Sequence, residues 1–333
     1  MGLNGYIDKY LPLFRGHTPG HKGKRDKRDL TEILDDFPGD LIEKSEARTA
    51  KLYGAPYLRY LVGGSSIGIK ASLLELGESF VTDFYRHRAV DEGARLAKVN
   101  VYYTPEAYDE NGLPTLMTAQ TLSRVMDETG ARNALVQYPD YYGRVPDLQA
   151  ISDVVKARGG KLLCDSAHGA HFALRPDLFP PSAHIFAHTC NMSAHKTLGA
   201  MTQTALLLAK ERGGLDDKLD DLGTTSPNYI LLASLEKGMA EAEDLRERYD
   251  ALKVFAQEFA DEFECLENDD FTRLVLIVRG KGEQTAYALR DEGVVCEKYD
   301  DDRVVFILTP YDDEISLRAL VAGVRKVLKG KGK

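Results

Sequence analysis

The stretch Lys161-Leu162-Leu163-Cys164-Asp165-Ser166-Ala167-His168 decides the fold prediction for this chain. Leu162 to Asp165 is a short apolar run that ends in a carboxylate, and Gly159-Gly160 just before it ends a helical pattern. A run of this kind, preceded by a helix and a turn signal, is typical of a buried strand in a parallel sheet. We therefore predict a strand with Asp165 at its carboxyl end, where open α/β sheets bind ligands.

Short apolar runs alternate with helical patterns on both sides of this strand. Amphipathic spacing predicts helices at Thr118–Glu128 and Leu148–Arg158. Strands are predicted near Tyr60–Val62, Ser79–Thr82, Val99–Tyr103, Ala134–Gln137, Leu162–Asp165, His184–His188 and Thr204–Leu208. Because strands joined by crossover helices pair in parallel, the predicted fold class is α/β, with a mostly parallel seven-stranded sheet flanked by helices.

The pattern divides the chain into three predicted parts. Residues 1–51 are polar and rich in Gly, Pro and charge, which indicates an N-terminal arm that packs on another surface. Residues 52–238 form the major domain, and residues 239–333 form a small C-terminal α+β domain. The elements predicted around and within this last part are one long helix at Glu236–Glu264, strands at Leu274–Val278 and Val304–Leu308, and a closing helix at Asp312–Leu328.

Composition excludes several classes of protein. The chain has 333 residues, 43% of them hydrophobic, and a formal net charge of −9, which disfavours nonspecific binding to nucleic acid. Met1 to Tyr10 lacks the apolar core of a signal peptide, and no apolar run approaches the length of a membrane span. The sequence therefore predicts a cytoplasmic protein that binds neither nucleic acid nor membrane.

A glycine-rich turn, Gly63-Gly64-Ser65-Ser66-Ile67-Gly68, follows the first predicted strand and opens a helical stretch. Free N–H groups at a helix start bind phosphate, and glycines let the backbone approach it closely. A phosphate cradle and a plain turn both fit this pattern. His87, beyond the second predicted strand, would border the same crevice, either stacked on a planar ligand or exposed to solvent.

Asp165 and Lys196 together indicate a particular cofactor. Lys196 lies in the later loop Ser193-Ala194-His195-Lys196-Thr197, where crowding and a neighbouring cation lower the pKa of a lysine. Such an amine can form a Schiff base with pyridoxal 5'-phosphate, while a carboxylate keeps the pyridine nitrogen protonated. We therefore predict a pyridoxal phosphate enzyme.

A metal site is the alternative for the strand end, because Asp165, His168 and His171 are all possible ligands. A zinc-protease helix motif or a cysteine pair would be needed to complete the set, and the sequence has neither near these residues. We therefore predict no metal, and an ion pair between Asp165 and the protonated ring nitrogen of the cofactor.

Several motifs, in the same order along the chain, resemble the major domain of the ornithine/lysine/arginine decarboxylase family of fold-type I pyridoxal phosphate enzymes. They are His17-Thr18-Pro19-Gly20-His21-Lys22-Gly23, Leu30-Thr31-Glu32, Leu52-Tyr53-Gly54-Ala55, the turn from Gly63 to Gly68, Pro139-Asp140-Tyr141-Tyr142-Gly143, Asp165 to His171, Ser193 to Leu198 with Thr202-Gln203-Thr204, and Thr224-Thr225-Ser226-Pro227-Asn228-Tyr229.

The resemblance implies a role for each matching residue. Lys196 would form the Schiff base, Asp165 would pair with the ring nitrogen and His87 would stack on the ring. His195 would lie beside the reacting carbon. The remaining cofactor contacts implied are Gly64, Ser65, Ser66, Ala167, His168, Ser193 and, reaching the phosphate bound by a second subunit, Ser226. The resemblance thus implies a homodimer with shared active sites.

The resemblance also implies an activity, namely decarboxylation of a basic amino acid such as arginine, lysine or ornithine, as in polyamine metabolism. An aminotransferase, or an aldolase or other lyase, uses the same cofactor and fold. An arginine that clamps the substrate carboxylate would favour transamination, and the candidates are Arg273, Arg279, Arg290 and Arg303. A shortened, non-catalytic regulatory paralogue is the remaining alternative.

Overall fold

The computed structural model describes residues 2–14, 16, 18–30 and 39–329. His17, Thr31 and Glu32, which belong to two of the motifs above, lie outside the described residues.

The main sheet confirms the predicted α/β class. Its strands are β1 (Tyr57–Leu61), β2 (Phe80–Thr82), β3 (Val101–Tyr103), β4 (Asn133–Gln137), β5 (Leu162–Asp165), β6 (Thr189–Ser193) and β7 (Ala205–Ala209). They lie in the order β1-β7-β6-β5-β4-β2-β3, so β5 is the central strand. β7 pairs antiparallel with β1 and β6, and the other neighbours pair in parallel. β5 and β7 are buried along their whole length, which explains why they read as continuous apolar runs.

Helices cover this sheet. They are α1 (Leu3–Tyr10), α2 (Gly39–Tyr53), α3 (Gly64–Leu76), α4 (Arg88–Ala97), α5 (Ala119–Thr129), α6 (Leu148–Ala157), α7 (Ala194–Thr197), α8 (Leu215–Leu222) and α9 (Tyr229–Asp244). Side-chain caps set several starts: Thr118 accepts a hydrogen bond from the N–H of Thr121 at α5, and Asp147 accepts one from Ala150 at α6. No described helix is both long and apolar enough to cross a membrane.

A smaller α+β unit follows the main sheet along the chain. It contains α10 (Arg248–Glu262), β8 (Arg273–Ile277), α11 (Gly282–Asp291), β9 (Lys298–Tyr299), β10 (Arg303–Ile307) and α12 (Glu314–Lys329). β10 lies between β8 and β9, and both pairs are antiparallel. The carbonyl of Gly143, in the large unit, accepts hydrogen bonds from the backbone N–H groups of Asp269 and Asp270. The segment before β8 is therefore hydrogen-bonded to the large unit.

The N-terminal segment packs on its own chain. Leu3, Tyr6 and Ile7 of α1 are buried, and the N–H of Leu3 donates to Glu236 Oε2 on α9 over 2.7 Å. α2 contacts both β1 and α9. The surface that this segment covers is therefore α9 and the edge of the main sheet.

The strand predicted at His184–His188 is wrong. Ala183–Ile185 is one turn of 3-10 helix, and the strand of this region is β6, which begins at Thr189. Every residue of β6 is buried although Thr189, Asn191 and Ser193 are polar. The Nδ2 of Asn191 donates to Ser72 Oγ on α3 over 3.3 Å, so a contact with a distant helix holds one of the polar residues that kept this strand from reading as an apolar run.

The single helix predicted at Glu236–Glu264 is also wrong, because the chain turns between α9 and α10. The charged sequence there contains no Gly or Pro that would signal the break. The turn exposes the carbonyl of Arg246, which accepts a hydrogen bond from Arg175 over 3.2 Å. Arg175 also forms an ion pair with Asp250 in the first turn of α10. A guanidinium from elsewhere in the fold thus stabilises this turn.

Candidate active site

A cavity of about 580 Å³ opens at the carboxyl ends of β4, β5 and β6. Strands that run in parallel end at one edge of the sheet, and the residues following them meet there. The cavity brings together ten of the residues proposed from sequence, namely Gly64, Ser65, Ser66, His87, Asp165, Ala167, His168, Ser193, His195 and Lys196.

The first turn of α3 forms one end of this cavity. Gly64 has a φ of +74°, a conformation that glycine adopts without strain, and it starts the helix. Ser193 Oγ, at the end of β6, donates to Ser65 Oγ over 3.0 Å. The N–H groups of a first helical turn have no partner within the helix. The hydroxyls of Ser65 and Ser193 therefore lie beside the N–H groups of this turn, of which that of Gly64 donates to the carbonyl of Gln203.

Gly68 explains how α3 comes so close to the sheet. A Cβ on this residue would lie 2.1 Å from Asn191 Oδ1 and 2.9 Å from a Leu61 methyl. Only a glycine lets the helix rest on β6 at this separation. The glycines of the predicted turn thus have two uses, since one starts the helix and another lets the helix pack closely on the strand.

Asp165 ends β5 and is 5% exposed. The N–H of Ala167 donates to its Oδ1 over 3.2 Å. Burial raises the pKa of Asp165 above its usual value, and His87, the Ala167 N–H and Lys196 oppose this rise only in part. A cation bound in the cavity beside this carboxyl group would therefore favour its ionised form.

Lys196 lies in the short helix α7, and its Nζ is 3.0 Å from His168 Nε2. Burial lowers the pKa of Lys196, and nearby Arg273 adds to this effect, while Asp165 and Glu297 act in the opposite direction. The lowered pKa agrees with the expectation from sequence. A lysine of this kind is a better nucleophile near neutral pH than an exposed one.

In the other two predicted site histidines, His195 and His87, Nδ1 forms a hydrogen bond with a backbone group. His195 Nδ1 donates to the carbonyl of Thr204 over 2.8 Å, which leaves Nε2 with the lone pair in the neutral ring. His87 caps α4 and its Nδ1 accepts from the N–H of Ala89, so its proton is on Nε2. Each ring is thereby oriented by the backbone next to it.

Sequence reasoning missed Lys298 of β9. It lines the cavity from the small unit, with its Nζ 4.7 Å from the ring centroid of Tyr141 and 5.1 Å from that of Tyr142. Among the described residues no carboxylate pairs with it, whereas Arg86 and Arg144, which also line the cavity, pair with Asp91, Asp109 and Asp140. Tyr141 itself belonged to a quoted motif, but nothing in the sequence singled out Lys298.

The fold does not bring the other proposed residues into the cavity. Ser226 is exposed in the loop before α9, where its Oγ lies 3.2 Å from Thr224 Oγ1. None of the four candidate arginines, all within the described residues, lines the cavity. Arg273 is buried behind it against His168, Arg279 pairs with Glu264, Arg290 lies over Tyr287 and Arg303 pairs with Asp300.

The two histidines of the metal alternative have different neighbours. His168 contacts Lys196 and Arg273, whereas His171 Nε2 is 3.2 Å from Asp270 Oδ1. Within residues 2–14, 16, 18–30 and 39–329, no group of three His, Cys, Asp or Glu side chains is placed to hold a metal ion.

The donor set fits pyridoxal 5'-phosphate. The hydroxyls and first-turn N–H groups at α3 suit a phosphate, and the buried carboxyl of Asp165 suits a protonated pyridine nitrogen. The amine of Lys196 suits the aldehyde, and His87 lines the same cavity. All of these groups surround one space of suitable size.

Known proteins match both the sequence and the fold. The family model of the ornithine/lysine/arginine decarboxylase major domain matches residues 26–276. YaaO, an uncharacterised protein of Bacillus subtilis, is 27% identical over 311 residues, 84% of this chain and 65% of its own. The arginine decarboxylase of Bacillus cereus is 25% identical over an alignment of 361 positions that covers 93% of this chain and 78% of that protein. The Francisella novicida lysine decarboxylase LdcF superimposes with a TM-score of 0.80 at 17% identity, over 98% of this chain and 60% of that chain.

The chain thus spans 65% of YaaO and 60% of LdcF. The likeness to LdcF shows a shared fold, and the family model covers the residues from before α2 to within β8, which include every residue of the cavity described above except Lys298. The chain therefore belongs to the ornithine/lysine/arginine decarboxylase family, with the fold-type I architecture and the cofactor of that family, pyridoxal 5'-phosphate.

Proposed function

We propose that this protein is a pyridoxal phosphate-dependent decarboxylase of a basic amino acid. The observation that carries the proposal is the position of Asp165 and Lys196 at the wall of one cavity, with the first turn of α3 at its end. When bound, the cofactor supplies an electron sink for the electron pair left by the breaking Cα–carboxylate bond. The residues of the chain must then bind the substrate, orient it and transfer a proton to its carbon.

Lys298 is the residue we propose for the substrate carboxylate. Arg86 and Arg144 are held in ion pairs, and the amine of Lys196 contacts His168. Lys298 therefore remains as the cation of the described cavity that is open to an incoming anion. Its contacts with the rings of Tyr141 and Tyr142 hold the ammonium group in place without neutralising it.

A basic substrate side chain fits the acidic part of the cavity. Asp83, at the end of β2, lines the cavity, and burial raises its pKa to about 7 although the N–H groups of Gln137 and Met117 oppose this. A cationic amine or guanidinium beside this carboxyl would favour its ionised form and be held by it. Its position supports arginine, lysine or ornithine as the substrate class.

Two groups can return a proton to the substrate carbon. Lys196 Nζ and His195 Nε2 both belong to the cavity wall, and His195 is oriented by its hydrogen bond to Thr204. Lys196 as an ammonium group, or His195 as an imidazolium with a proton on Nε2, can supply the proton that replaces carbon dioxide, which completes the change from amino acid to amine. We also propose a cytoplasmic homodimer in which Ser226 of each subunit approaches the phosphate site of the other.

Variants of two cavity lysines test the proposal. Lys196→Ala should lower carbon dioxide release from arginine, lysine or ornithine by more than about a thousandfold, because the nucleophile is lost. Lys298→Met should mainly raise KM, and Lys298→Arg should restore it in part. Lys253→Met, at an exposed position of α10, is the matched control and should behave as wild type.

Product analysis separates decarboxylation from the alternatives. Carbon dioxide and the amine should form in equal amounts from the preferred substrate. Keto-acid formation would indicate an aminotransferase, and turnover that survives Lys196→Ala would overturn the assignment of the nucleophile. Isolated protein that converts none of a full panel of amino acids, although it binds the cofactor, would support the non-catalytic paralogue.

A further inference from the structure

Arg273 is buried at the junction of the two units and reaches the site through His168. It opens β8, and its side chain is 0% exposed. Its Nη2 lies 3.2 Å from His168 Nδ1 and 3.2 Å from the carbonyl oxygen of the same residue. Its Nη1 donates to Thr272 Oγ1 and lies 3.8 Å from Asp270 Oδ2. These contacts fix the guanidinium behind the ring of His168.

The contact with Arg273 determines where His168 carries its proton. A guanidinium has only donors, so the nitrogen that faces it must accept. His168 Nδ1 is therefore the lone pair of the ring, and the proton of the neutral imidazole is on Nε2. That nitrogen is the one 3.0 Å from Lys196 Nζ.

The state of Lys196 follows from this tautomer. The N–H at His168 Nε2 can donate only to a lone pair, which an uncharged amine has and an ammonium group does not. A charged Lys196 would direct its own N–H bonds at the His168 proton. The hydrogen bonds from Arg273 to His168 and from His168 to Lys196 can therefore form together only when Lys196 is uncharged.

The surrounding charges are consistent with this state. Burial keeps the pKa of His168 well below its usual value, and the guanidinium of Arg273 acts in the same direction, so the ring stays neutral. The charged groups around Lys196 are Asp165 and Glu297, which favour the ammonium form, and Arg273, which together with burial opposes it.

We propose that Arg273 is a positioning residue that, through the Nε2–H tautomer of His168, holds Lys196 as an uncharged, nucleophilic amine before cofactor or substrate binds. The inference rests on the proposed function in one respect, since it takes Lys196 as the nucleophile. Arg273, considered above as a substrate clamp, instead acts on the lysine from behind the cavity. The small unit thereby contributes to the charge state of a residue on the large unit.

The test measures the protonation of Lys196 without cofactor or turnover. Cofactor-free protein is labelled with acetic anhydride at a series of pH values, and acetylation of Lys196 is compared by mass spectrometry with that of exposed Lys253. Arg273→Met should raise the midpoint of the Lys196 profile by about one pH unit, which slows its labelling about tenfold at neutral pH. Arg273→Lys, which keeps a charged donor, should return the midpoint toward wild type.

Matched controls separate this role from a loss of structure. Arg279→Met removes an exposed arginine of the small unit and should leave the Lys196 profile unchanged. Because Arg273→Met also leaves Asp270 with one cation fewer, the double variant Arg273→Met/Asp270→Asn is labelled as well and should show the same raised midpoint. Near-ultraviolet circular dichroism establishes that each variant is folded.

Two results would overturn the proposal. One is a folded Arg273→Met protein whose Lys196 midpoint equals that of the wild type. The other needs no variant: nitrogen-15 chemical shifts of His168 in the wild-type protein that show the Nδ1–H tautomer. Failure of the proposed function is a separate result, because decarboxylation by Lys196→Ala would leave the labelling profile of wild-type Lys196 as it is.

Discussion

Asp165 and Asp270 are both carboxylates at 5% exposure or less, yet their surroundings shift their pKa values in opposite directions. At Asp165, in the cavity, burial outweighs its neighbours and raises the pKa. At Asp270, at the junction of the two units, burial also acts to raise the pKa, but His171 and Arg273 overcome it and hold the pKa at about 2. The nearness of a cation decides between these outcomes.

The difference separates a functional carboxylate from a structural one. Asp270 already has its partners within the chain, with His171 Nε2 at 3.2 Å and the guanidinium nitrogen Arg273 Nη1 at 3.8 Å. Asp165 lines an open cavity and accepts one backbone N–H. A protonated pyridine nitrogen would complete its surroundings, as the protein itself completes those of Asp270.

The largest effect that tests this comparison is expected at Asp165. Asp165→Asn should reduce carbon dioxide release by about 10²–10³, because an amide cannot keep the ring nitrogen protonated. The free energy of unfolding without cofactor should not fall, since burial already disfavours the charged form. Initial rates measure the release of carbon dioxide, and urea titrations measure the free energy of unfolding. Asp153→Asn, on the exposed face of α6, is the control.

A rate for Asp165→Asn within tenfold of wild type would remove Asp165 from the proposed mechanism. A large loss of stability without cofactor would mean that Asp165 is structural, like Asp270. Either result would show that Asp165 and Asp270 do not differ as a functional and a structural carboxylate.

An intermediate effect, on stability, is expected at Asp270. Asp270→Asn should lower the free energy of unfolding at pH 7 by about 3 kcal/mol, because it leaves the buried guanidinium of Arg273 without its anion. The folded pKa of about 2 lies below that of an unfolded aspartate near 4, so the stabilisation is present above pH about 4 and is lost as the pH falls toward 2.

Urea titrations from pH 3 to pH 7 measure this difference. The difference in free energy of unfolding between wild type and Asp270→Asn should become smaller as the pH falls. Asp261→Asn, at an exposed position of α10, should show no such difference. A gap that stays constant with pH would show that the charge of Asp270 does not stabilise the fold.

An effect of the opposite sign is expected at Asp83, where burial raises the pKa to about 7. Because this folded value lies above the unfolded one, the wild type is most stable below pH about 4 and loses stability as the pH rises through 7. Asp83→Asn should therefore be more stable than wild type by up to about 4 kcal/mol at pH 8 and equal to it at pH 4. Thermal unfolding at both pH values measures the difference, and a less stable variant at pH 8 would contradict it.

Local sequence was enough wherever one short segment carried the whole signal. β5 was predicted at its observed bounds, because a central strand covered on both faces must be apolar throughout. The turn at Gly63 to Gly68 was predicted as a helix start, and ten proposed residues meet in one cavity because strand ends in a parallel sheet share an edge.

Prediction failed where a distant contact decided the structure. The polar residue Asn191 is buried in β6 with its Nδ2 donating to Ser72, and Arg175 contacts the turn between α9 and α10 from a distant segment. Lys298 enters the cavity from a strand of only two residues, which no periodicity can reveal. Arg273 was noticed only as a clamp for a substrate, and its contact with His168 spans 105 positions of sequence.

The sequence by itself determined the α/β class, the family and the presence of Asp165 and Lys196 at loops that share one sheet edge, because each depends on local patterns and short motifs. Only the tertiary structure decided the chemical state of those groups. The charge on Asp165, Asp270 and Lys196 depends on burial and on cations contributed by distant segments, and a pKa is a property of surroundings that the linear order of residues does not contain.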